Sequence, residues 1–349
     1  MGSLEKSQSL PIIDITSYLS DHDPEGRLST SSAIHSACLK HGFFYLRINN
    51  FADPSEPEDL TKLAREFFAL PEDEKAKIAF QNEDGARGYA RLKENVTNGK
   101  ADNHEAIDFY RPVDNPDKTR SLWGENQWPT VPGFKEKYEA WVEKMKALGL
   151  IVMEAMANGL GMTPEEWEGL RAQVDRSFWV MRVIGYPPLP DDHDGFSCGA
   201  HKDYGCLTFL YADPTRSALQ VLSKNTSGAN QAVDKLPVET GAEVGTWINA
   251  DPIEGCVVVN IGEMWEVWTN GLYKSTLHRV VHRGSNYRIP FFFEPNFDAK
   301  VEVLAAARRL QSGQPKGEES DKKYDSVVYG EFLLKKVGGN FAEGKGKYD

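Results

Sequence analysis

The chain has 349 residues, of which 40% are hydrophobic and 26% are charged, and its formal net charge at pH 7 is -12. This composition is typical of a globular protein with one large core. The negative charge argues against a nucleic-acid partner and against an anionic membrane surface, because both carry negative charge themselves. The longest apolar run, at residues 148–153, is far too short to cross a bilayer. We therefore expect no nucleic-acid partner and no membrane partner.

The cysteines indicate the cellular compartment. Cys38, Cys198, Cys206 and Cys256 are scattered along the chain, without a Cys-x-x-Cys motif or a dense disulfide framework. Such spacing favours a reducing compartment. The first residues do not resemble a secretory signal peptide, so we expect a cytoplasmic protein.

The first half of the chain is predicted to be mainly helical. We predict strands at 9–14 and 43–48, and helices at 33–40, 60–68 and 134–156. The stretch at 20–32 is polar and typical of turns. The capping sequence from Thr163 to Glu166, with Pro164 in the first turn, predicts one more helix. Residues 81–118 show weak periodicity, so we expect a lid or a substrate loop there.

From residue 178 onward the pattern changes to short β-prone runs separated by Gly, Pro, Asn and Asp. We predict strands at 178–186, 206–212, 218–222, 256–261, 276–282 and 289–294. Closely spaced strands of this kind indicate a sandwich or a jelly roll. Residues 223–244 are polar and rich in Gly, which is typical of a surface insertion, and residues from 304 onward predict a polar helical tail.

A His and an Asp flank a single residue at 201–203, directly before an apolar run. If a strand starts here, His201 and Asp203 point to the same side, because side chains alternate along a strand. A third candidate ligand, His278, lies in a later segment, and His282 is its rival because it is four residues further along the same strand. Two His and one carboxylate form the facial triad of non-haem Fe(II) oxygenases. The sequence therefore predicts an Fe(II) site.

Two further residues are candidates for binding a carboxylate. Arg288 precedes the apolar run Ile-Pro-Phe-Phe-Phe, so its guanidinium would be held by an apolar wall and would need an anion. A structural salt bridge is the alternative interpretation. Tyr186 ends the predicted strand 178–186 and is a candidate second donor to the same carboxylate, with a core tyrosine as the alternative.

Several motifs together carry a resemblance to a known family. They lie at 10–14, 37–44, 67–71, 201–209, 260–263 and 269–280. On these motifs the chain resembles the iron- and 2-oxoglutarate-dependent oxygenases of the isopenicillin N synthase-like superfamily. The resemblance implies an α+β fold, with a double-stranded β-helix (jelly roll) core and N-terminal helices that brace it.

The resemblance also implies a domain organisation and a reaction. It divides the chain into an N-terminal region at 1–130, scaffold helices at 131–175, the dioxygenase core at 176–300 and a C-terminal helical tail at 301–349. It implies Fe(II) as the cofactor, with 2-oxoglutarate and O₂ as co-substrates. The expected reaction is hydroxylation or desaturation of a small organic molecule with release of succinate and CO₂.

The resemblance also implies roles for individual residues. His201, Asp203 and His278 resemble the family's iron ligands, and Arg288 and Tyr186 resemble its 2-oxoglutarate anchors. The irregular segment and the last strand usually close the substrate pocket in this family. The corresponding candidates here are Arg87, Tyr89, His104 and Phe293.

Two positions depart from the family pattern. Pro290 replaces the Ser of the Arg-x-Ser pattern, and Ile184 replaces the Asn that commonly precedes the co-substrate Tyr by two residues. The loss of the Ser hydroxyl leaves a second hypothesis open, an Fe(II) oxidase of the isopenicillin N synthase type that needs no 2-oxoglutarate. A third hypothesis is a non-catalytic β-helix that binds a small molecule.

Overall fold

The structure is a computed structural model that describes residues 9–20, 22–190, 193, 195–224, 243–313 and 324–337. Sixteen strands occur in these ranges. The first eight are β1 (Ile12–Asp14), β2 (Phe43–Arg47), β3 (Gly88–Ala90), β4 (Val96–Thr97), β5 (Lys100–Ala101), β6 (Glu105–Tyr110), β7 (Val180–Tyr186) and β8 (Phe196–His201). The others are β9 (Leu207–Ala212), β10 (Leu219–Ser223), β11 (Thr246–Asn249), β12 (Cys256–Ile261), β13 (His278–Val281), β14 (Asn286–Phe293), β15 (Lys300–Val301) and β16 (Val327–Val328).

Two of the sheets form the centre of the fold. The larger has eight strands in the order β1-β2-β12-β9-β14-β7-β6-β3, and the smaller has four in the order β11-β10-β13-β8. Their inner faces pack on each other, since Phe43 and Val258 of the larger sheet share one apolar cluster with Leu219 and Val221 of the smaller. Both sheets are antiparallel apart from the parallel pair β1 and β2, and two such sheets that pack face to face make a jelly roll. The predicted α+β jelly-roll fold is confirmed.

The helices cover the outer face of the larger sheet and the ends of the sandwich. They are α1 (Pro24–Lys40), α2 (Ser55–Phe68), α3 (Glu72–Lys75), α4 (Phe134–Gly159), α5 (Pro164–Arg171), α6 (Glu263–Trp268), α7 (Ala305–Ser312) and α8 (Tyr329–Val337). The scaffold helix α4 contacts β14 closely at Gly149, where an added Cβ would lie 2.2 Å from the ring of Phe293. Of the helices in the described ranges, none has the length and apolar character that a membrane crossing requires.

The predicted elements are mostly present, with two corrections in the first half. The stretch at 20–32 is not a turn region, because α1 already begins at Pro24, and the side chain of Asp23 caps it by accepting a hydrogen bond of 2.8 Å from the amide of Gly26. Ser and Thr residues in this helix hide its apolar periodicity. The capping box of Thr163 and Glu166 is confirmed.

The segment at 81–118 was predicted to be an irregular loop, and this is wrong for a part of it. Strand β6 pairs with both β3 and β7 inside the larger sheet. Its residues are buried on both faces, so the alternation that marks a half-exposed strand is absent.

The six strands predicted after residue 178 match β7, β9, β10, β12, β13 and β14 to within three residues at each end. Two strands of the smaller sheet, β8 and β11, were missed. Of the predicted insertion at 223–244, residues 225–242 lie outside the described ranges. Of the predicted tail, the described part forms α7 and α8, and residues 314–323 and 338–349 lie outside those ranges.

Candidate active site

His201, Asp203 and His278 converge at one end of the smaller sheet. His201 is the last residue of β8 and His278 is the first of β13, and the two stand opposite each other in the register of this antiparallel pair. Asp203 lies in the turn that connects β8 to β9. The condition under which His201 and Asp203 were expected to share one face of a strand is therefore not met, because β8 ends at His201. The turn nevertheless brings Asp203 back to the two imidazoles.

The three side chains are spaced as ligands of one ion. Nε2 of His201 lies 3.7 Å from Oδ1 of Asp203, and Nε2 of His278 lies 3.6 Å from the same oxygen. One ligand atom from each residue falls within 4.8 Å of the others, and in the described ranges no other His, Cys, Asp and Glu side chains form such a group. Two nitrogens and one carboxylate oxygen are the donor set that non-haem iron takes.

Backbone carbonyls hold both imidazoles in the tautomer that a metal needs. Nδ1 of His201 donates to the carbonyl oxygen of Gly199 at 2.8 Å, and Nδ1 of His278 donates to that of Thr276 at 3.1 Å. A carbonyl can only accept, so in the neutral imidazole the proton sits on Nδ1 and Nε2 keeps its lone pair for a metal. Burial lowers the pKa of His278 to about 4, and the neighbouring His201 acts in the same direction.

Asp203 is prepared as an ionised ligand with one free oxygen. Its Oδ2 accepts hydrogen bonds from Asn260 Nδ2, at 2.6 Å, and from the hydroxyl of Thr208. Burial alone would raise the pKa of Asp203, but both histidines and these two hydrogen bonds outweigh it and hold that pKa below its ordinary value. Oδ1 is left to face both Nε2 atoms, so the residues present fit an Fe(II) ion.

Arg288 lies on the inner face of the larger sheet with part of its guanidinium unpaired. Its side chain is buried, and Nε and Nη1 have no hydrogen-bond partner within the described structure. Arg288 lines a cavity of about 290 Å³, together with apolar residues such as Leu210 and Val258. A buried guanidinium without an anion is costly, so the geometry fits a carboxylate ligand such as that of 2-oxoglutarate.

Tyr186 lies beside Arg288, and the two departures from the family pattern lie in the same region. The guanidinium carbon of Arg288 is 5.9 Å from the ring centre of Tyr186. Ile184 stands directly opposite Arg288 in the register of β14 and β7. Pro290 follows two residues later and shares the inner face by strand alternation. The two replacements therefore leave an apolar wall beside the guanidinium.

A second cavity, of about 520 Å³, is lined by His201 and Asp203 and is strongly charged. Six carboxylates and three cations occur among its lining residues. The carboxylates are Asp102, Asp108, Asp203, Glu243, Glu263 and Glu294, and the cations are Arg182, Lys202 and Lys336. Strand β14 adds Phe292 to the wall, and α8 adds Leu333 and Val337. We call this cavity the triad pocket.

Each of the three cations is already paired with a carboxylate. Arg182 makes a bidentate ion pair with Asp108, with nitrogen–oxygen distances of 2.6 and 2.7 Å. The ammonium of Lys202 lies 2.8 Å from Glu243. The ammonium of Lys336, in α8, donates to Glu263 at 2.7 Å. Apart from the metal ligand candidate Asp203, two carboxylates are left without a cation from the described residues.

These two carboxylates are Asp102 and Glu294. Asp102 accepts hydrogen bonds from the hydroxyl of Thr97 at 2.7 Å and from the amide of Gly199 at 3.4 Å. Glu294 accepts one from the amide of Cys206 at 3.2 Å. Burial raises the pKa of Glu294 to about 8; the Tyr329 hydroxyl and the Cys206 amide act against this rise, and the charge of Asp203 adds to it.

The four residues predicted to contact substrate do not line the triad pocket. Arg87 is fully buried in an ion pair with Asp84, and the hydroxyl of Tyr89 donates to Glu105 at 2.6 Å. Phe293 faces α4, on the opposite side of the sheet from Phe292.

His104 lies directly behind the wall of the triad pocket. Its Nε2 is 3.1 Å from the side-chain oxygen of Asn95, which does line the pocket, and its ring lies 5.8 Å from that of Tyr186. The rival ligand His282 lies away from the triad. Its Nδ1 is 3.1 Å from the hydroxyl of Ser197, and its ring packs on that of His193.

Sequence reasoning missed most of the charged wall of the triad pocket. Asp108 and Arg182 stand opposite each other in the register of β6 and β7, and β6 was not predicted. Glu294 was missed although it has a signal in the sequence. It follows Arg288 by six residues, an even number, so strand alternation places both on one side.

Comparison with known proteins agrees with this site. The family model described as the N-terminal region of the non-haem dioxygenases in morphine synthesis matches residues 10–131, and the model of the 2OG-Fe(II) oxygenase superfamily matches residues 177–295. The chain is 40% identical to a homoarginine-6-hydroxylase of Glycine max, over 96% of this chain and 98% of the relative. It is 37% identical to a homoarginine-6-hydroxylase of Oryza sativa, over 98% and 99%.

A solved structure shares the fold over nearly the whole length. This crystal structure, of a full-length Neurospora crassa protein in complex with alpha-KG and thymine, superimposes with a TM-score of 0.76 at 27% identity, covering 96% of this chain and 98% of that one. These similarities favour the hypothesis of a 2-oxoglutarate-dependent dioxygenase over those of a 2-oxoglutarate-independent oxidase and a non-catalytic β-helix. The chain belongs to the 2OG-Fe(II) oxygenase superfamily, in its isopenicillin N synthase-like branch, and it is a hydroxylating dioxygenase that uses Fe(II), 2-oxoglutarate and O₂.

Proposed function

We propose that this dioxygenase hydroxylates a free basic amino acid, homoarginine or a close analogue. The observation that carries the proposal is the excess of carboxylates over cations in the triad pocket, where Asp102 and Glu294 have no cationic partner among the described residues. Buried carboxylates favour a cationic ligand, because an unpaired buried charge is costly. The two homoarginine-6-hydroxylases that are 40% and 37% identical to this chain support the same substrate class.

In this proposal the triad and Arg288 perform the functions that the family requires. His201, Asp203 and His278 hold Fe(II) through Nε2, Oδ1 and Nε2. When bound, iron and 2-oxoglutarate activate O₂ for oxidation of a C–H bond, with release of succinate and CO₂. Arg288 binds the distal carboxylate of 2-oxoglutarate, and Tyr186 closes the space beside it. Because Pro290 offers no hydroxyl, Arg288 carries more of this binding than the family's Arg-x-Ser pattern would require.

The charges of the triad pocket suit the two ends of a basic amino acid. A cationic side chain faces the unpaired carboxylates. The α-carboxylate meets the ammonium groups of Lys202 and Lys336, which are 26% and 39% exposed and therefore lie towards solvent. Arg182 remains in its pair with Asp108 and closes the wall between them.

We also propose the class of partner, the cellular location and the domain division that the sequence predicts. A net charge of -12 supports a small-molecule partner over a polynucleotide. Four free cysteines in the described structure support a reducing location such as the cytoplasm. The chain divides after residues 130, 175 and 300 into an N-terminal region, scaffold helices, the dioxygenase core and a tail.

The proposal is tested by measuring succinate release in the presence of candidate substrates. The full chain with Fe(II), 2-oxoglutarate and air would receive L-homoarginine, L-arginine or L-lysine, and in parallel L-norleucine or L-glutamate. We expect basic amino acids to stimulate succinate release and to gain one oxygen atom by mass. Stimulation by the neutral or acidic amino acids alone would show that the substrate class is wrong.

A further inference from the structure

Glu294 lies directly after β14 and faces the triad pocket. Strand alternation puts it on the same side as Phe292, and both residues line that pocket. Its side chain is only 3% exposed. The carboxylate is thus a buried part of the pocket wall.

The chain makes room for this carboxylate at Gly205. A Cβ added to Gly205 would lie 1.3 Å from Oε2 of Glu294, so any larger residue would displace the carboxyl group. The adjacent amide of Cys206 donates to the same oxygen at 3.2 Å. Since residue 205 is only two positions after Asp203, this contact holds the carboxylate close to the triad.

Glu294 is a buried carboxyl group without a positive partner from the described chain. Among the residues that the structure describes, no Lys, Arg or His makes an ion pair with it, whereas Asp108, Glu243 and Glu263 each have one. Asp102 also has no such cation, but it is held by a hydroxyl at 2.7 Å and by a backbone amide. Glu294 is likewise held by the amide of Cys206 at 3.2 Å, and the hydroxyl of Tyr329 also acts on it. Glu294 differs from Asp102 in its place, since Gly205, which it contacts, is only two positions from Asp203.

We propose that Glu294 binds the cationic side-chain group of the substrate and so selects guanidinium-bearing amino acids. The inference rests on the proposed function and adds the specificity-determining residue. In homoarginine, carbon 6 carries the guanidino nitrogen, so hydroxylation at this carbon requires the cation to lie within one bond of the reacting centre. Glu294 is suited to this because its contact with Gly205 keeps it beside the triad. A guanidinium bound by a carboxylate makes two parallel hydrogen bonds, which also orients the carbon chain.

The test pairs a change in the protein with a matching change in the ligand. L-homocitrulline has the shape of L-homoarginine but carries a neutral ureido group. The dissociation constants of both would be measured by calorimetry on the full chain with Fe(II) and 2-oxoglutarate, without O₂. We expect the wild type to bind homoarginine at least about 10-fold more tightly than homocitrulline.

The variants Glu294→Gln and Asp102→Asn are compared with the wild type. Glu294→Gln keeps the shape and removes the charge, so the affinity for homoarginine should fall about 10- to 100-fold while that for homocitrulline changes little. Asp102→Asn removes the other unpaired carboxylate of the pocket and should weaken the preference for the cation less than Glu294→Gln does. Melting temperature and bound iron report whether each variant is folded. If Glu294→Gln does not fold, Glu294→Asp is measured in its place. We then expect a reduced preference for homoarginine over homocitrulline.

The outcomes separate this inference from the proposed function. An unchanged preference in Glu294→Gln, or a larger loss of the preference in Asp102→Asn than in Glu294→Gln, would overturn the role of Glu294 while homoarginine remained a ligand. If the wild type binds neither homoarginine nor arginine nor lysine, the substrate class is wrong, and the role of Glu294 falls with it.

Discussion

Asn260 donates a hydrogen bond of 2.6 Å from its side-chain amide to Oδ2 of Asp203. The hydroxyl of Thr208 donates to the same oxygen, and both donors stand on neighbouring strands of the larger sheet, opposite each other in the register of β12 and β9. The carboxylate is thereby fixed, with Oδ1 towards the two imidazoles. The larger sheet thus orients a ligand that the connection between β8 and β9 supplies.

Replacement of Asn260 should weaken iron binding without removing a ligand. Partners that orient a metal ligand typically contribute 10- to 100-fold to metal affinity, so Asn260→Ala should lower Fe(II) affinity by about that factor. A competition titration with a chromogenic chelator measures this affinity. Asn50→Ala, at an exposed asparagine, is the matched control and should bind iron as the wild type does. Equal affinities in both variants would show that Asn260 does not support the site.

Removal of His278 should abolish iron binding and turnover. His278→Ala loses one of three ligands, so succinate release should fall by more than the roughly 100-fold upper value for an orienting residue. His282→Ala is the matched control, since His282 is directed to Ser197 and not to the triad. Iron content and succinate release would be measured for both. Retained iron and turnover in His278→Ala, with loss in His282→Ala, would reverse the assignment.

Removal of the guanidinium at position 288 should raise the requirement for 2-oxoglutarate. Loss of a charged hydrogen-bond partner in a buried site costs about 2 kcal/mol, which corresponds to roughly a 30-fold higher KM for 2-oxoglutarate in Arg288→Leu. Arg308→Leu, at an exposed position of α7, serves as the control. A KM unchanged from that of the wild type would assign Arg288 a structural function only.

The stability of the metal-free protein should depend on pH through Glu294. Burial raises the pKa of this carboxyl to about 8 in the folded protein, from an ordinary value of 4.5. The folded protein therefore binds this proton more tightly than the unfolded chain does. The contribution of protonated Glu294 to the free energy of unfolding is lost as pH rises from about 4.5 to 8. Relative to Glu294→Gln, the wild type should melt progressively lower across this window. A difference in melting temperature that is independent of pH would contradict the assignment.

The candidate metal ligands and the β-rich half could be named from the sequence because their signals are local. His201 and Asp203 are two residues apart, and His278 and Arg288 lie in runs with clear β propensity. The jelly roll itself followed from the resemblance and from the spacing of six strands. Neither required knowledge of which strands pair.

The pocket wall could not be predicted, because it depends on pairing between distant strands. Strand β6 is buried on both faces and shows no alternation, so Asp108 could not be placed opposite Arg182. Phe293 was chosen because the last strand usually closes the pocket in this family, but alternation from Arg288 puts Phe292 and Glu294 inside and Phe293 against α4. Arg87 and Tyr89 are satisfied by Asp84 and Glu105, contacts that local sequence does not reveal.

The most direct test of the whole account is visible absorption during ordered anaerobic additions to the wild-type protein. Fe(II) and then 2-oxoglutarate should produce a metal-to-ligand charge-transfer band, and L-homoarginine should then shift that band because it enters the same pocket. Admission of air should bleach the band and yield one succinate for each homoarginine oxidised, recovered as hydroxylated homoarginine or as the guanidine and aldehyde into which a hydroxyl group on carbon 6 breaks it down. A band that no basic amino acid shifts would contradict the proposed substrate class, and the absence of a band despite bound iron would contradict the assignment of Arg288 and Tyr186.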